Sequence, residues 1–234
     1  MSPAPFLIPA KMSYFVDTPL SSDRLRKSVI QDIIPLLPNR INTAWDIFSG
    51  DALVGVNLIP FSDRVVCNVM DIDTEKSMLL IRDGKLDISC PKRTLDAYRS
   101  ALGKVELVHF SWEHIVRVGF GGRELPLSAG DFVFCYAPLI GEYVPDRSDN
   151  GKARHPFRWT QGNMSELLGL LSSVQSAGAG FGAVLSLGRG ISPNSDAVGF
   201  CERNGYEYRR VGSINSFSRG TTTDDIVYVT NRKP

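Results

Sequence analysis

The amino-acid sequence predicts an α/β fold with a mostly parallel sheet, helices on both faces and an antiparallel hairpin near the C-terminus. Three patterns predict it. Strand-like runs rich in Val, Ile, Phe and Tyr are mostly continuous rather than alternating, which is typical of strands covered on both faces. Helix-like segments separate several of these runs, and such alternation favours parallel strands. The last two runs are separated only by Gly212–Thr223, which is rich in Ser, Gly and Thr.

The individual elements follow from these patterns in chain order. The predicted strands are Thr43–Ser49, Arg64–Asp71, Lys104–His109, Asp131–Tyr136, Phe181–Leu187, Tyr206–Val211 and Asp225–Asn231. Ser22–Leu37 and Met164–Val174 place apolar side chains at helical spacing, and Arg93–Ala101 is helix-like too. Because no helical pattern joins the last two strands, we expect them to pair as the closing hairpin.

Composition limits the class of protein. The 234 residues are 43% hydrophobic and 22% charged, which predicts one domain over residues 1–234, with residues 1–20 as an N-terminal extension. No apolar stretch is long enough to cross a bilayer and no signal peptide is recognisable, so a cytoplasmic protein without membrane contact is expected. Four widely spaced cysteines predict no metal site. The net charge of +1 means that any nucleic-acid contact must come from a local patch.

Two turns after predicted strands could carry chemistry. Asp46–Ala52 ends the first strand with small residues that let the backbone approach a nucleoside-bearing ligand. Met70–Asp73 ends the second strand, where an acidic side chain can accept hydrogen bonds from ribose hydroxyls and Ile72 can pack on an adenine ring. An acidic residue after a strand is equally often a helix cap or a solvated turn, so both interpretations stay open.

These turns resemble those of the DNA adenine-N6 methyltransferases. Asp46–Asp51 resembles their first turn without its proline and second glycine, and Met70–Asp73 resembles their adenosine-holding turn. Gly130–Cys135 precedes a proline turn as their fourth strand does, and Ser213–Asn231 resembles their closing hairpin. The resemblance implies a Rossmann-like fold and the cofactor S-adenosylmethionine (SAM). It also implies the following cofactor-binding residues: Tyr14, Phe15, Asp46, Phe48, Ser49, Gly50, Asp71 and Ile72.

The chain departs from the family at two places. The family's opening Gly-Gly-Lys stretch is missing after Tyr14 and Phe15. The family's catalytic Asp-Pro-Pro-Tyr turn orients the target amine and stacks on a flipped base; the aligned residues here are Tyr136, Ala137, Pro138 and Leu139. Alternatively, Pro138 only ends a strand and Tyr136 fills space, in which case the protein is a binding module.

The resemblance implies DNA, or RNA, as partner. Basic and aromatic residues suited to phosphate contact and base stacking are Lys152, Arg154, Arg158 and Trp159, which Arg189 and Arg219 could extend. Solvated surface is the alternative interpretation of this group. Residues 74–130, with a hairpin-like piece at Val118–Glu124, are predicted to be a reduced insert in place of a target-recognition domain.

The sequence therefore predicts a SAM-dependent methyltransferase that acts on a nucleic-acid base. The alternative is a degenerate relative that binds DNA or a partner, or that modifies a base differently. A small-molecule methyltransferase is a third hypothesis, because the fold alone does not fix the function.

Overall fold

The computed structural model describes residues 14–20, 24–137, 161–187, 201–203, 205–216 and 222–231. Within these ranges the strands are β1 (Ile41–Asp46), β2 (Ser62–Asn68), β3 (Glu106–Val108), β4 (Phe132–Ala137), β5 (Gly180–Leu187), β6 (Glu207–Ser216) and β7 (Thr222–Thr230). The α-helices are α1 (Arg24–Ile33), α2 (Leu53–Leu58), α3 (Ile72–Arg82), α4 (Lys92–Leu102), α5 (Trp112–Val118) and α6 (Gln161–Ser176). Short 3-10 turns, Ile34–Leu36 and Ile59–Phe61, extend α1 and α2.

The strands form one sheet in the order β3-β2-β1-β4-β5-β7-β6. The first five strands are parallel, with Trp45 of β1 opposite Val66 of β2 and Val133 of β4. β7 lies antiparallel to both β5 and β6. The predicted fold class, a mostly parallel Rossmann-like sheet with a C-terminal antiparallel hairpin, is confirmed.

Helices cover both faces of the sheet. Alternate side chains of each strand point to opposite faces, so Ala44 and Phe134 join a core formed with α1 to α4, whereas Trp45 and Val133 join a core formed with α5 and α6. Strands buried on both faces read as continuous apolar runs, which is why the sequence pattern identified them.

The structure corrects the prediction for Val118–Glu124. No strand forms there, so the hairpin-like piece is wrong. Gly119 and Gly121 have φ angles of +68° and +94°, and the N–H of Gly121 donates to the carbonyl of Leu125 at 2.9 Å. Glycines in the left-handed region turn the chain back on itself, so this piece is a compact loop. The surrounding residues 74–130 also hold β3, which pairs with β2 within the sheet.

Several element boundaries differ from the predicted ones. The first strand ends at Asp46 rather than Ser49, and the second ends at Asn68 rather than Asp71. In both places, the chain leaves the sheet to begin a helix. The described residues include no helix with the length and apolar composition needed to span a bilayer.

Candidate functional site

The turn that follows β1 lies at the point where the order of strands in the sheet reverses. β2 and then β3 are added on one side of β1, and β4 pairs with β1 on its other side. In open α/β sheets, ligands bind outside the carboxyl ends of the strands at such a switch point. We call Ile47–Ala52 the β1 turn. Its Ile47 N–H donates to the Phe134 carbonyl of β4 at 3.0 Å, and its Ser49 N–H donates to the Asn68 carbonyl of β2 at 3.2 Å.

Asn68 joins the β1 turn to the residues that follow β3. Its side-chain amide is buried, donates to the carbonyls of Ile47 (3.2 Å) and Phe110 (3.1 Å), and accepts from the Phe110 N–H at 2.7 Å. The sequence analysis did not single out Asn68. A buried polar residue that ends an apolar strand was the available signal, because such a group needs hydrogen-bond partners.

Asp46 lies beneath α2 rather than open to the switch point. Its side chain is fully buried, and Oδ2 accepts from the Gly55 N–H at 3.0 Å. Position 55 must be glycine for this approach, since a Cβ there would lie 2.1 Å from Sγ of Cys67. Burial raises the pKa of Asp46 to about 7, although the charge of Arg26 and the Gly55 N–H oppose that shift.

Three oxygens around the β1 turn are buried without a hydrogen-bond partner among the described residues: Asp46 Oδ1, Ser49 Oγ and Asp51 Oδ2. An unsatisfied buried polar atom costs about 1–3 kcal/mol, and native proteins contain few of them. Their concentration within six residues of the chain marks this turn as a place where a ligand or water completes the structure.

The β1 turn also holds strained backbone. Gly50 has a φ of +52°, and Ala52 has a φ of +58°, which makes Ala52 the one non-glycine residue in the left-handed region among those described. Such a conformation costs an L-residue roughly 1–2 kcal/mol. Ala52 stands where the turn that the sequence resembles has its second glycine, and its positive φ is one that glycine adopts without strain.

Arg26 of α1 connects the β1 turn to the end of β4. Its Nη1 lies 2.7 Å from Oδ1 of Asp51, its Nη2 donates to the Ser49 carbonyl at 3.1 Å, and its guanidinium lies 5.5 Å from the ring centre of Tyr136. The sequence analysis missed Arg26. It precedes the buried Val29 by three residues, so a charge on the apolar stripe of the helix was the signal.

The turn that follows β2, Val69–Asp71, is built differently, and we call it the β2 turn. Asp71 is exposed and caps α3: its Oδ1 accepts from the N–H groups of Asp73 (2.9 Å) and Thr74 (3.3 Å). The helix-cap interpretation left open by the sequence therefore describes Asp71. Ile72 beside it is 53% exposed, which leaves its side chain accessible to a ligand.

The remaining predicted cofactor residues lie in the segment before α1 and in the β1 turn itself. Tyr14 and Phe15 are partly buried against the α1-to-α4 core, where the N–H and carbonyl of Val16 pair with the Asn57 side chain of α2 at 2.8 and 2.9 Å. Phe48 stacks on Trp112 at 5.4 Å between ring centres. The structure therefore brings these three aromatic residues close to the elements that flank the turn.

The predicted catalytic residues are only partly described. Tyr136 and Ala137 end β4 at the same sheet edge as the β1 turn. The other predicted catalytic residues, Pro138 and Leu139, lie outside the described residues, as do the predicted nucleic-acid contacts Lys152, Arg154, Arg158, Trp159, Arg189 and Arg219.

No protein family matches the sequence, and no curated protein matches it. Solved structures match nearly the whole chain. The C-terminal domain of precorrin-6Y C5,15-methyltransferase from Rhodobacter capsulatus is 12% identical with a TM-score of 0.48, covering 94% of this chain and 95% of that chain. Precorrin 8W decarboxylase from Methanobacterium thermoautotrophicum is 12% identical with a TM-score of 0.47, covering 92% and 95%. An rRNA methylase from Streptococcus thermophilus is 9% identical with a TM-score of 0.44, covering 89% and 97%.

These likenesses are loose in both sequence and shape. The fold assignment therefore rests on the order and direction of the strands described above. Among the described residues, no group of three or more His, Cys, Asp or Glu side chains is arranged to hold a metal ion.

Proposed function

We propose that this protein binds SAM at the carboxyl edge of its sheet and is a methyltransferase that acts on a nucleic-acid base. One observation carries the proposal: buried oxygens of Ser49 and Asp51 lack partners among the described residues in the turn at the topological switch point. That is the position at which doubly wound sheets bind nucleoside-bearing ligands. SAM carries an amine, ribose hydroxyls and an adenine amine that can donate hydrogen bonds to such oxygens.

In this proposal, the two turns bind different parts of the cofactor. Ser49 and Gly50 would hold it through the β1 turn, where Gly50 has a φ of +52° and no Cβ, which allows a ligand to approach the backbone closely. Asp71 would accept hydrogen bonds from the ribose, and the exposed Ile72 would pack on the adenine ring. Phe48 of the β1 turn would form one wall of the site. When bound, SAM supplies an electrophilic methyl group.

Two features support a nucleic-acid base as the substrate: the residues at the end of β4 and the sequence resemblance. Tyr136 and Ala137 share the sheet edge of the β1 turn, so a substrate there would face the cofactor. The backbone carbonyl of Ala137 can accept one hydrogen bond from an exocyclic amine. Orientation of two bound partners supplies much of what a transfer between them needs. We infer a substrate of the adenine-N6 type, with DNA or RNA as partner.

A second candidate function is a degenerate relative that binds DNA or a partner, or modifies a base differently. The contact between Arg26 and Tyr136 favours it. Tyr136 stands where the family has an acidic or amide side chain that accepts a hydrogen bond, and here its ring carries a guanidinium of the protein itself. A phenol in that setting is a poorer acceptor for a target amine than a carboxylate.

Calorimetry with SAM tests cofactor binding, and Asp71→Asn separates the two roles of that residue. Asparagine caps a helix about as well as aspartate, so we expect stability to change by less than about 0.5 kcal/mol. Loss of a charged acceptor for the ribose should raise the dissociation constant by about tenfold or more. Asp73→Asn is the matched control, because this exposed residue lies two positions further along the same helix.

The outcomes are distinct. If the wild type does not bind SAM at millimolar concentration, the cofactor proposal fails. An Asp71→Asn variant with unchanged affinity removes Asp71 from the site. Nucleoside mass spectrometry of DNA and RNA from cells that express the protein tests the reaction: N6-methyladenine is expected, and unmodified nucleic acid with intact SAM binding would favour the degenerate relative.

A further inference from the structure

Trp112 lies between two elements that are distant in sequence. It is the first residue of α5, and only 3% of its surface is exposed. One side of the indole stacks on Phe48 of the β1 turn, with 5.4 Å between ring centres and 28° between ring planes. Its Nε1 donates to Oε2 of Glu166 in α6 at 2.8 Å. The indole therefore connects the β1 turn with α6.

Hydrophobic burial explains why the Trp112 ring lies in the core, but it does not explain the hydrogen bond to Glu166. Glu166 is exposed, whereas its neighbour Leu167 is fully buried. A carboxylate that could remain in water instead accepts from the indole, and a charged acceptor makes this bond stronger than a neutral one. Trp45 provides the comparison: it is buried in the same core, its Nε1 has no partner among the described residues, and its ring meets Phe120 edge-on.

We propose that Trp112 and Glu166 are positioning residues that set the conformation of the β1 turn. Glu166 fixes the orientation of the indole, and the indole fixes the ring of Phe48, so a change at α6 alters the turn. The effect of these residues on cofactor affinity rests on the proposed function, whereas their effect on the conformation of the β1 turn does not. Trp112 does not need to touch the cofactor for this role.

The first test is amide hydrogen exchange of the free protein. The Ser49 N–H, which bonds to the Asn68 carbonyl, reports the opening of the β1 turn. We expect Glu166→Leu to speed its exchange by about tenfold, the size expected when a coupled hydrogen bond is lost. Glu166→Gln keeps an acceptor oxygen for the indole, so it should restore exchange close to that of the wild type. In a Trp112→Phe background, Glu166→Leu should have no further effect.

The second test is the SAM dissociation constant of the same variants. Trp112→Phe should weaken binding by about tenfold and Trp45→Phe by less than about twofold, since only the first breaks the connection. Glu166→Leu should weaken binding although the residue lies in another element. A wild type that fails to bind SAM contradicts the proposed function, but the exchange data still decide the inference. The inference is overturned if Glu166→Leu leaves Ser49 exchange unchanged, or if its effect survives in the Trp112→Phe background.

Discussion

The β1 turn and the β2 turn occupy equivalent places after neighbouring parallel strands, but their acidic side chains lie in opposite environments. The sequence analysis assigns one acidic residue to cofactor binding at each place: Asp46, the last residue of β1, and Asp71 of the β2 turn. Asp46 and Asp51 at the first turn are buried, and each leaves one oxygen without a described partner. Asp71 at the second turn is exposed and hydrogen-bonded to the helix that it caps. An acidic residue after a strand therefore identifies a turn, but the packing of the next helix decides its chemistry.

The next helices explain the difference. All six residues of α2 are buried, so α2 packs closely on the sheet and covers the Asp46 side chain. The close approach of Gly55 to Cys67 makes this packing possible. In α3, Met78 and Ile81 are the buried residues, and its first turn faces solvent. The β1 turn therefore holds polar groups at a cost in stability, whereas the β2 turn does not.

The largest expected effect is a pH dependence from Asp46. Its pKa is about 7 in the folded protein and 3.8 in a solvated chain. Between these values the unfolded chain releases a proton that the folded protein keeps, so the free energy of unfolding falls as the pH rises from 4 to 7. A shift of this size corresponds to about 4 kcal/mol. Asp46→Asn should remove this slope, as measured by urea unfolding between pH 4.5 and pH 8.

One outcome of this experiment would contradict the assigned role of Asp46. If Asp46→Asn and the wild type lose stability in parallel as the pH rises, another group causes the dependence. Asp46 would then be ionised in the folded protein, and the β1 turn would be no more costly than the β2 turn.

The second effect in size concerns Arg26. Its ion pair with Asp51 is largely buried, with side-chain exposures of 13% and 6%. Breaking a buried pair by removing one partner costs about 3 kcal/mol or more, because a charge is left unpaired. We expect Arg26→Met to lower the free energy of unfolding by that amount, and Asp51→Asn added to it to recover part of the loss.

Lys27→Met is the matched control for Arg26→Met. Lys27 is the next residue of α1 and pairs with Asp17 at 2.6 Å, but the Asp17 side chain is 43% exposed. Exposed pairs contribute less than about 1 kcal/mol. Equal losses in the two variants would show that the contacts of Arg26 at the β1 turn have no special weight.

The sequence predicted the sheet better than the helices. All seven predicted strands form because each contains a local apolar run, although β6 continues to Ser216, five residues beyond its predicted end. α2 and α5 have six and seven residues, too few to show a helical period. α3 carries mixed polar residues without a clear apolar stripe, and the Gly-rich piece after α5 was wrong as a hairpin. Elements that depend on packing rather than on a repeating pattern were therefore the ones missed.

Only part of the candidate site was predicted from the sequence. The β1 turn was found because its residues are contiguous. Arg26, Asn68 and Trp112 were not, because their contacts connect residues 21 to 54 positions apart. One sequence does not show which distant side chains meet. The left-handed conformation of Ala52 was also hidden, since alanine gives no sign of it.

The smallest expected effect is at Ala52, where the β1 turn holds strain that the described residues of the β2 turn lack. Ala52→Gly relieves a left-handed alanine, worth about 1–2 kcal/mol, but adds chain entropy and removes a buried methyl group. These effects nearly cancel, so stability should change by less than about 0.5 kcal/mol. Ala101→Gly in α4 is equally buried and unstrained, and it should cost about 1 kcal/mol or more. Equal losses from the two variants, measured by urea unfolding, would mean that Ala52 is not strained and that this difference between the turns does not exist.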